Sequence, residues 1–226
     1  MYLEIKKRLS NLRFQAAQGR PATGVLASPL HHIHPDSQRA LFLRELRRDP
    51  KSIGAICSSS DRLGTRMARH IELQEDGCVV ELGGGTGAIT QALLSRGVLA
   101  KQLIVVEKSR ALAAHLCHRF PKVRVVHGDA ADMETLLKGS LPVKAIVSGL
   151  PLRSLSRGAV TGITAACLKM LHPDGRLIQF TYAPGGISPW LRAGLKKLGS
   201  ETVWTNLPPA RIDVFAAVAS AQPGLD

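Results

Sequence analysis

The chain has 226 residues, and its 45% share of hydrophobic residues is enough for a full core, which excludes a chain disordered throughout. Its 4% share of aromatic residues argues against a surface that stacks single-stranded bases on many rings. The formal net charge is +13, and residues 1–70, with 13 Lys and Arg against 5 Asp and Glu, carry +8 of it. Such a charge attracts polyanions, and it suits nucleic acid phosphates and anionic lipid headgroups equally well.

The four cysteines are widely spaced and form no C-x-x-C pair. This pattern favours a reducing, cytosolic compartment over a disulfide framework or a zinc site. The first residues lack the apolar segment of a signal peptide, and no apolar run approaches the ~18 residues that span a bilayer. We therefore expect a soluble or surface-associated protein.

The first third of the chain predicts helices separated by loops. Apolar residues recur at helical spacing over residues 2–14, and basic residues occupy much of the other face. Residues 19–35 are rich in Gly, Pro and His and indicate a loop, and a second helix is expected over 36–48. We expect residues 1–50 to form a basic helical extension and residues 51–226 to form the main domain.

From Cys78 onward, short apolar runs alternate with helical stretches, which is typical of βαβ units in an α/β fold. Near the end of the chain, two more strands have no room for a helix between them, so we expect an antiparallel hairpin. The expected strands are Cys78–Leu82, Leu103–Glu107, Val123–His127, Ala145–Ser148, Arg176–Tyr182, Thr202–Thr205 and Ile212–Ala219. The expected helices between the first six of these strands cover residues 87–96, 109–119, 132–138, 155–171 and 188–198.

A strand, a glycine-rich turn and the start of a helix follow one another over residues 79–87, Val-Val-Glu-Leu-Gly-Gly-Gly-Thr-Gly. Glycines let the backbone turn tightly there and let a nucleotide-like ligand approach without a Cβ in the way. Glu81 precedes these glycines, and its charge repels a pyrophosphate but suits a ligand with a cationic ammonium or sulfonium group. The expected cofactor is therefore S-adenosylmethionine rather than a nicotinamide dinucleotide.

Three further strand ends carry features that match such a ligand. The second predicted strand ends in Glu107, 20 residues after Gly87, where a carboxylate accepts both hydroxyls of a ribose. The third is followed by Asp129, which is suited to accept from an adenine amino group, and the fourth continues into Ser148-Gly149-Leu150-Pro151. Because ligands of open α/β sheets bind at the carboxyl ends of the strands, these features predict one site.

With these motifs, residues 50–220 resemble a class I S-adenosylmethionine-dependent methyltransferase, which implies a Rossmann-like, seven-stranded sheet that is mostly parallel. Three segments resemble, more narrowly, the bacterial phospholipid N-methyltransferases that are related to rRNA adenine dimethyltransferases. The basic helix over residues 2–13 resembles the membrane-binding helix of that family. The three segments are Arg48 to Ile56 with Ser58-Ser59-Ser60, Val147 to Leu152, and Asn206 to Arg211.

The resemblance implies methyl transfer from S-adenosylmethionine to the amine of phosphatidylethanolamine and its mono- and dimethyl forms, towards phosphatidylcholine, with S-adenosylhomocysteine as the other product. It also implies a cytoplasmic enzyme that is peripheral on the inner face of the cytoplasmic membrane, with an anionic membrane surface as its partner. The implied substrate-binding residues are Pro151, Arg153 and Arg211. The implied cofactor-binding residues are Ser59, Glu81, Gly83, Gly85, Glu107, Lys108, Asp129, Ala130, Ser148 and Leu150.

An ammonium group must lose a proton before it attacks a methyl group, and two side chains are candidates for the base. One is Tyr182 after the fifth predicted strand, for which simple packing at the strand end is the alternative. The other is His31 in the sequence His-His-Ile-His, a cluster that we expect to be a loop or lid rather than a metal site. Arg153, Arg157 and Arg211 flank the crevice and suit a lipid phosphate, with solvated surface charge as their alternative.

Two other functions remain open at this point. In the rRNA adenine dimethyltransferases the fourth strand ends in Asn-Leu-Pro followed by an aromatic residue. The Asn binds the target amine, and the aromatic ring stacks on the flipped base. Here Ser148-Gly149 and Leu152 replace the amide and the ring, which weighs against an adenine substrate and leaves RNA the less favoured partner. The third possibility is a non-catalytic lipid- or nucleic-acid-binding protein. The three correctly spaced carboxylates Glu81, Glu107 and Asp129 argue against it. The oligomeric state is not predicted.

Overall fold

The computed structural model describes residues 61–72, 76–140, 142–182, 185–206 and 209–217. The helices predicted over 2–14 and 36–48, and the boundary predicted at residue 50, lie outside these described residues. Ser59 and the histidine cluster that contains His31 also lie outside them. These expectations therefore stay predictions.

Seven strands of the described residues form one sheet in the order β3-β2-β1-β4-β5-β7-β6. The first five strands are parallel to one another, and β7 is antiparallel to both β5 and β6. This arrangement confirms the predicted Rossmann-like sheet and its C-terminal antiparallel hairpin. The strands are β1 (Cys78–Leu82), β2 (Leu103–Glu107), β3 (Arg124–His127), β4 (Val143–Ser148), β5 (Leu171–Thr181), β6 (Lys196–Val203) and β7 (Ala210–Ala216).

Helices cover both faces of the sheet. Successive side chains of a strand point to opposite faces; Val79 of β1 joins an apolar cluster with the first three helices, whereas Val80 joins another with the last three. Short 3₁₀ turns precede β2 and follow β3 and β4. The helices are α1 (Asp61–Arg69), α2 (Ala88–Arg96), α3 (Arg110–Arg119), α4 (Met133–Leu136), α5 (Arg157–Met170) and α6 (Pro189–Arg192). None of the described helices is both long and apolar enough to cross a membrane.

The segment between β5 and β7 differs from the sequence-based expectation. The helix predicted over 188–198 ends at Arg192, and the chain turns at Gly194, whose φ is 99°. The strand predicted over Thr202–Thr205 begins at Lys196 instead and ends at Val203. Because β6 lies at the edge of the sheet, most of its side chains are exposed and polar, and the apolar alternation that marks a strand is missing.

The start of β5 was also expected later than it occurs. The strand begins at Leu171, five residues before Arg176, and its register with β4 shifts between Val143 and Ala145. The early part contains His-Pro-Asp-Gly, a composition that is typical of a turn and hides the strand in the sequence.

Candidate active site at the carboxyl edge of the sheet

The glycine-rich turn after β1 forms a cradle in left-handed backbone conformations. Gly83, Gly85 and Gly87 have φ values of 75°, 55° and 89°, a region that L side chains rarely adopt. The N–H of Gly83 donates to the carbonyl of Val106 at 2.8 Å, which ties the turn to the end of β2. Apart from its chain neighbours, the described residues place no atom within 4 Å of a Cβ on Gly85, so they leave open space directly against the backbone there. Such a space is what an approaching ligand requires.

Glu107 fixes this cradle from the end of β2. Its side chain is buried, with Oε2 accepting from the N–H of Gly85 at 2.9 Å and Oε1 accepting from the N–H of Ser109 at 2.8 Å. A carboxylate oxygen has two acceptor sites, so these bonds are compatible with further donors such as ribose hydroxyls. The structure thus brings Glu107 to the glycine turn, as the sequence predicts, and its ligand role stays a prediction.

Glu81 is a buried acid with one oxygen that receives no hydrogen bond from the described residues. It is fully buried; Oε2 accepts from the Thr90 hydroxyl at 2.6 Å, whereas Oε1 has no donor among the described groups. Burial raises the pKa of Glu81 to about 8; the Thr90 hydrogen bond opposes this shift and the charge of Glu107 adds to it. An acceptor left without a donor is costly in the protein interior, so it fits a ligand that supplies a donor or a cation.

Asp129 and its neighbours occupy the end of β3. The Asp129 carboxylate accepts from the N–H of Ala131 at 3.0 Å and pairs with Lys108 Nζ at 2.9 Å. The Ala131 hydrogen bond and the Lys108 charge lower the pKa of Asp129 against the opposing effect of burial. Lys108 is exposed and follows β2 directly, and Ala130 is buried. All three predicted residues therefore lie together, and the carboxylate of Asp129 is ionised at neutral pH.

The turn after β4 touches the glycine turn. The N–H of Gly149 donates to the carbonyl of Leu82 at 2.8 Å, and a Cβ on Gly149 would lie 2.9 Å from the carbonyl oxygen of Gly83. Ser148 is buried, and its hydroxyl accepts from the N–H of Leu150 at 3.4 Å. The cradle and the fourth strand end therefore belong to one site.

Beyond Leu150 lies a mostly apolar pocket of ≈ 180 Å³. It brings together residues from β5, from β7 and from the segments that follow β4 and β5. Five residues predicted from the sequence line it, namely Leu150, Pro151, Arg153, Tyr182 and Arg211. The pocket adjoins the cradle through Leu150, whose Cδ2 lies 2.8 Å from the position of a Cβ on Gly83. We call it the acceptor pocket.

Tyr182 lies at the wall of the acceptor pocket and is fixed there by two contacts. Its ring packs edge-on against Phe180 with 5.4 Å between centroids, and its hydroxyl accepts from Asn206 Nδ2 at 3.4 Å. Asn206 is buried. Tyr182 therefore packs against Phe180, as the alternative expects, and also lines the pocket, while its role as the base stays a prediction.

Arg211 is held by a buried carboxylate that the sequence analysis missed. Asp213 Oδ2 accepts from Arg211 Nε at 3.2 Å, and its Oδ1 accepts from the Ser200 hydroxyl at 2.7 Å and pairs with Lys197 Nζ at 2.6 Å. Burial would raise the pKa of Asp213, but these donors outweigh it and lower the pKa below its ordinary value. The signal in the sequence is a carboxylate inside the apolar stretch Ile-Asp-Val-Phe. A charge in such a stretch indicates a buried group with hydrogen-bond or ion-pair partners, because an unpaired charge is costly to bury.

A second missed residue, Gln179 of β5, supports the same pocket. Its Nε2 donates to the carbonyls of Leu150 at 3.1 Å and Phe180 at 2.7 Å, and its Oε1 accepts from Trp190 Nε1 at 3.2 Å. Gln179 and Trp190 are both buried. The signal in the sequence is an amide side chain within the apolar stretch Leu-Ile-Gln-Phe. The partners of this amide are distant in sequence, so the stretch alone does not reveal them.

The change Gln179→Leu is expected to lower the free energy of unfolding by about 2 kcal/mol, because it leaves the buried Trp190 N–H without its acceptor. Urea unfolding measures this loss. Gln91→Leu is the matched control, since Gln91 is exposed on α2 and its side-chain amide bonds only Ser95 among the described residues. An equal effect of both changes would contradict a supporting role for Gln179.

No group of three or more His, Cys, Asp and Glu side chains is arranged to hold a metal ion in the described part of the chain.

Comparison with known proteins identifies the group to which these features belong. A family model described as ribosomal RNA adenine dimethylase matches residues 59–152. The ornithine lipid N-methyltransferase of Singulisphaera acidiphila is 30% identical over 175 residues, which cover 75% of this chain and 91% of that protein. Ribosomal RNA small subunit methyltransferase A of Afipia carboxidovorans is 37% identical over 107 residues, which cover 45% of this chain but only 36% of that protein.

Solved structures agree on the fold. The N-methyltransferase NodS of Bradyrhizobium japonicum, crystallised with S-adenosylhomocysteine, aligns with a TM-score of 0.59 at 16% identity, over 80% of this chain and 98% of that one. A TehB-like S-adenosylmethionine-dependent methyltransferase of Corynebacterium glutamicum aligns with a TM-score of 0.57 at 18% identity, over 80% and 100%. The glycine cradle, the acid Glu81 and the two carboxylates at the next strand ends fit the cofactor of these enzymes. The chain belongs to the class I S-adenosylmethionine-dependent methyltransferases, in the group that is related to the ribosomal RNA adenine dimethylases and includes ornithine lipid N-methyltransferase.

Proposed function

We propose that this methyltransferase acts on the amine of phosphatidylethanolamine and of its mono- and dimethyl forms. The observation that carries the proposal is the acceptor pocket, which combines an apolar lining with two arginines beside the cofactor cradle. A zwitterionic aminolipid has the matching chemistry, because it joins an amine to an anionic group and to an apolar body. The relative that aligns over most of its length is named for methyl transfer to another aminolipid, ornithine lipid.

The two arginines have different surroundings, and both suit a headgroup anion. Asp213 orients the guanidinium of Arg211, which is about one quarter exposed. The exposed Arg153 donates to the carbonyl of Gly185. A guanidinium group binds phosphate through two parallel N–H donors, which gives both affinity and orientation. Together they would hold the phosphate so that the amine lies towards Leu150.

Methyl transfer to an amine is an in-line displacement, so positioning and the exclusion of water supply most of the catalysis. S-adenosylmethionine supplies an electrophilic methyl group when it is bound. The amine must lose its proton before its lone pair attacks, and the Tyr182 hydroxyl at the pocket wall is our candidate for orienting the amine or accepting this proton. His31, outside the described residues, is the other candidate.

A lipid substrate requires access to a membrane surface. We infer that the basic amphipathic helix expected over residues 2–13 binds anionic lipid reversibly, which keeps the enzyme peripheral on the inner face of the cytoplasmic membrane. The positive charge of the first 70 residues, +8 in total, supports this inference.

Methylation of an RNA adenine is the second candidate, and the match to the ribosomal RNA adenine dimethylase model favours it. That match covers the cofactor half and ends at Leu152. Leu152 is 5% exposed and aliphatic, so it offers no ring for a flipped base. The Ser148 hydroxyl accepts a hydrogen bond from the backbone N–H of Leu150. These features make the lipid the better acceptor.

The test is transfer of labelled methyl groups to defined acceptors by the full chain. One arm contains vesicles of phosphatidylglycerol with phosphatidylethanolamine, a second replaces phosphatidylethanolamine by ornithine lipid, and a third contains total RNA. Label in phosphatidylethanolamine supports the proposal. Label in ornithine lipid alone would overturn phosphatidylethanolamine as the substrate but keep an aminolipid. Label in RNA alone would overturn the lipid hypothesis, and so would binding of the cofactor without methyl transfer in any arm.

In the same assay, Arg153→Gln is expected to lower kcat/KM for phosphatidylethanolamine vesicles about tenfold, because one charged hydrogen bond to the headgroup is lost. The affinity for S-adenosylhomocysteine, measured by calorimetry, should not change. Arg96→Gln is the control, since Arg96 lies in the last turn of α2, away from the pocket. A wild-type rate for Arg153→Gln would remove this residue from the headgroup site.

A further inference from the structure

We propose that the rim of the acceptor pocket is itself a membrane-docking surface, in which Ile187 and Trp204 enter the lipid interface and Arg192 pairs with anionic headgroups. The inference rests on the proposed lipid substrate and adds a second contact to the basic helix at the start of the chain. We call these three side chains the docking rim.

Ile187 and Trp204 are the two most exposed large hydrophobic side chains among the described residues. Trp204 is 78% exposed and Ile187 is 61% exposed. A single exposed apolar residue is ordinary in a folded protein, so exposure alone decides nothing. What matters is where these two lie relative to the acceptor pocket.

Both residues lie at the edge of the sheet that carries the site. Strands β5 and β6 are each antiparallel to β7, so they run in the same direction and end at the same edge. Ile187 follows β5 and Trp204 follows β6, and two strand spacings separate these ends, about 10 Å. The turn that contains Trp204 also touches the pocket wall, because Asn206 Nδ2 lies 3.4 Å from the Tyr182 hydroxyl.

A basic groove of ≈ 650 Å³ adjoins the acceptor pocket on the side of Ile187. The two cavities share Leu152, Arg153 and Pro189 in their linings. Arg153, Arg157 and Arg192 line the groove, and none of the described residues that line it is acidic. Among the described residues, Arg192 has no ion-pair partner, so its charge is available to an external anion.

This combination fits a lipid surface. Tryptophan is enriched at membrane interfaces because its ring is apolar and its N–H is polar. An aliphatic side chain such as that of Ile187 lowers the free energy when it moves from water into hydrocarbon. Arginines next to such residues attract anionic headgroups. Docking of this rim would bring the mouth of the acceptor pocket to the headgroup layer, where the amine of the substrate is found.

Tryptophan fluorescence tests the insertion directly in the full chain. The chain contains two tryptophans, and Trp190 is 0% exposed whereas Trp204 is 78% exposed. Vesicles of phosphatidylglycerol and phosphatidylethanolamine with brominated acyl chains should quench Trp204, and the variant Trp204→Phe should lose this quenching because only the buried Trp190 remains. Equal emission with brominated and unbrominated vesicles would overturn the proposal.

Matched double variants test the consequence for binding. Ile187→Ser with Arg192→Glu should lower the affinity for these vesicles at least about tenfold, since both an apolar and an electrostatic contact are lost. The control is Leu99→Ser with Lys101→Glu; Leu99 is 52% exposed, Lys101 is exposed, and both precede β2 at the opposite edge of the sheet. Equal losses in both double variants, or none in either, would contradict the assignment of the rim.

A soluble acceptor separates docking from catalysis. With monomeric short-chain phosphatidylethanolamine, the rim double variant should methylate at the wild-type rate, while its rate on vesicles falls about tenfold. If wild type labels neither form, the proposed substrate fails, whereas quenching of Trp204 still reports on docking. If the rim double variant binds RNA more weakly than the wild type does but binds vesicles equally well, the surface binds nucleic acid and the docking proposal is wrong.

Discussion

The change Glu81→Gln is expected to make the fold more stable at pH 8 and to weaken binding of S-adenosylmethionine about 100-fold, or about 2.7 kcal/mol. Both effects have one cause. Glu81 is fully buried, and its pKa is raised to about 8, chiefly by burial. An amide of the same shape is never ionised, so it avoids the cost of a buried charge but cannot attract a cationic ligand.

The sign of the pH dependence follows from the two protonation states. In the unfolded chain the Glu81 carboxyl ionises near its ordinary value of 4.5, whereas in the fold it keeps its proton to about 8. Between these values the unfolded state binds fewer protons, so the stability of the wild type falls as the pH rises from about 4.5 to about 8. Glu81→Gln removes this contribution, and its advantage should reach roughly 4 kcal/mol at pH 8.

Thermal unfolding between pH 5 and pH 8.5 measures the first effect, and calorimetry with S-adenosylmethionine measures the second. Calorimetry in buffers of different ionisation enthalpy should also detect a proton released when the wild type binds at pH 7, because an ammonium ligand favours the ionised acid. Glu134→Gln is the control, since Glu134 is exposed and pairs with Lys169 at 3.0 Å. A Glu81→Gln variant that binds as tightly as the wild type would contradict the assignment of Glu81 to the cofactor.

The change Gly85→Ala is expected to lower the affinity for S-adenosylhomocysteine about 50-fold, or roughly 2.3 kcal/mol, with only a small loss of stability. The added methyl group would enter the open space against the glycine turn, where none of the described residues other than the chain neighbours of Gly85 has an atom within 4 Å. The fold therefore suffers only the strain of a left-handed alanine, about 1–2 kcal/mol. The cofactor, in contrast, loses the space that it needs.

Gly139→Ala provides a matched comparison for this variant. Gly139 has φ +77° and also open space at its Cβ position, but it precedes β4 at the opposite edge of the sheet from the glycine turn. Both variants should show the same decrease in Tm, and Gly85→Ala alone should lose affinity in calorimetry. A normal affinity in Gly85→Ala would mean that the open space at Gly85 is not the cofactor site.

The part of the fold that the sequence predicts well is the part whose residues are determined locally. Buried parallel strands are continuous apolar runs, and β1 and β2 have the predicted bounds for that reason. The carboxylates Glu81 and Glu107 can be predicted as cofactor ligands because ligands of open α/β sheets bind where such strands end, and these ligand roles stay predictions. The edge strand β6 carries little apolar signal, so its residues were assigned partly to a helix.

The residues that the sequence did not reveal act through contacts between distant segments. Gln179 connects the turn after β4 to Trp190, and Asp213 connects Arg211 to the edge strand. Each appears in the sequence as a polar residue between apolar neighbours, Ile-Gln-Phe and Ile-Asp-Val, which indicates a buried polar group but not its partners. Only the strand order, with β7 between β5 and β6, brings these partners together.

The lining of the acceptor pocket consists of two walls that come from different segments of the sequence. One wall, Leu150 to Leu152, lies at the end of the segment that matches the adenine dimethylase model, and it is joined to the cofactor cradle through Gly149. The second wall, which includes Tyr182 and Arg211, is formed by residues that follow that segment in the chain. A lineage could therefore exchange the second wall and acquire a new methyl acceptor without disturbing the machinery that holds the methyl donor. Grafting β5 to β7 between relatives would accordingly be a direct way to redirect these enzymes from one acceptor to another.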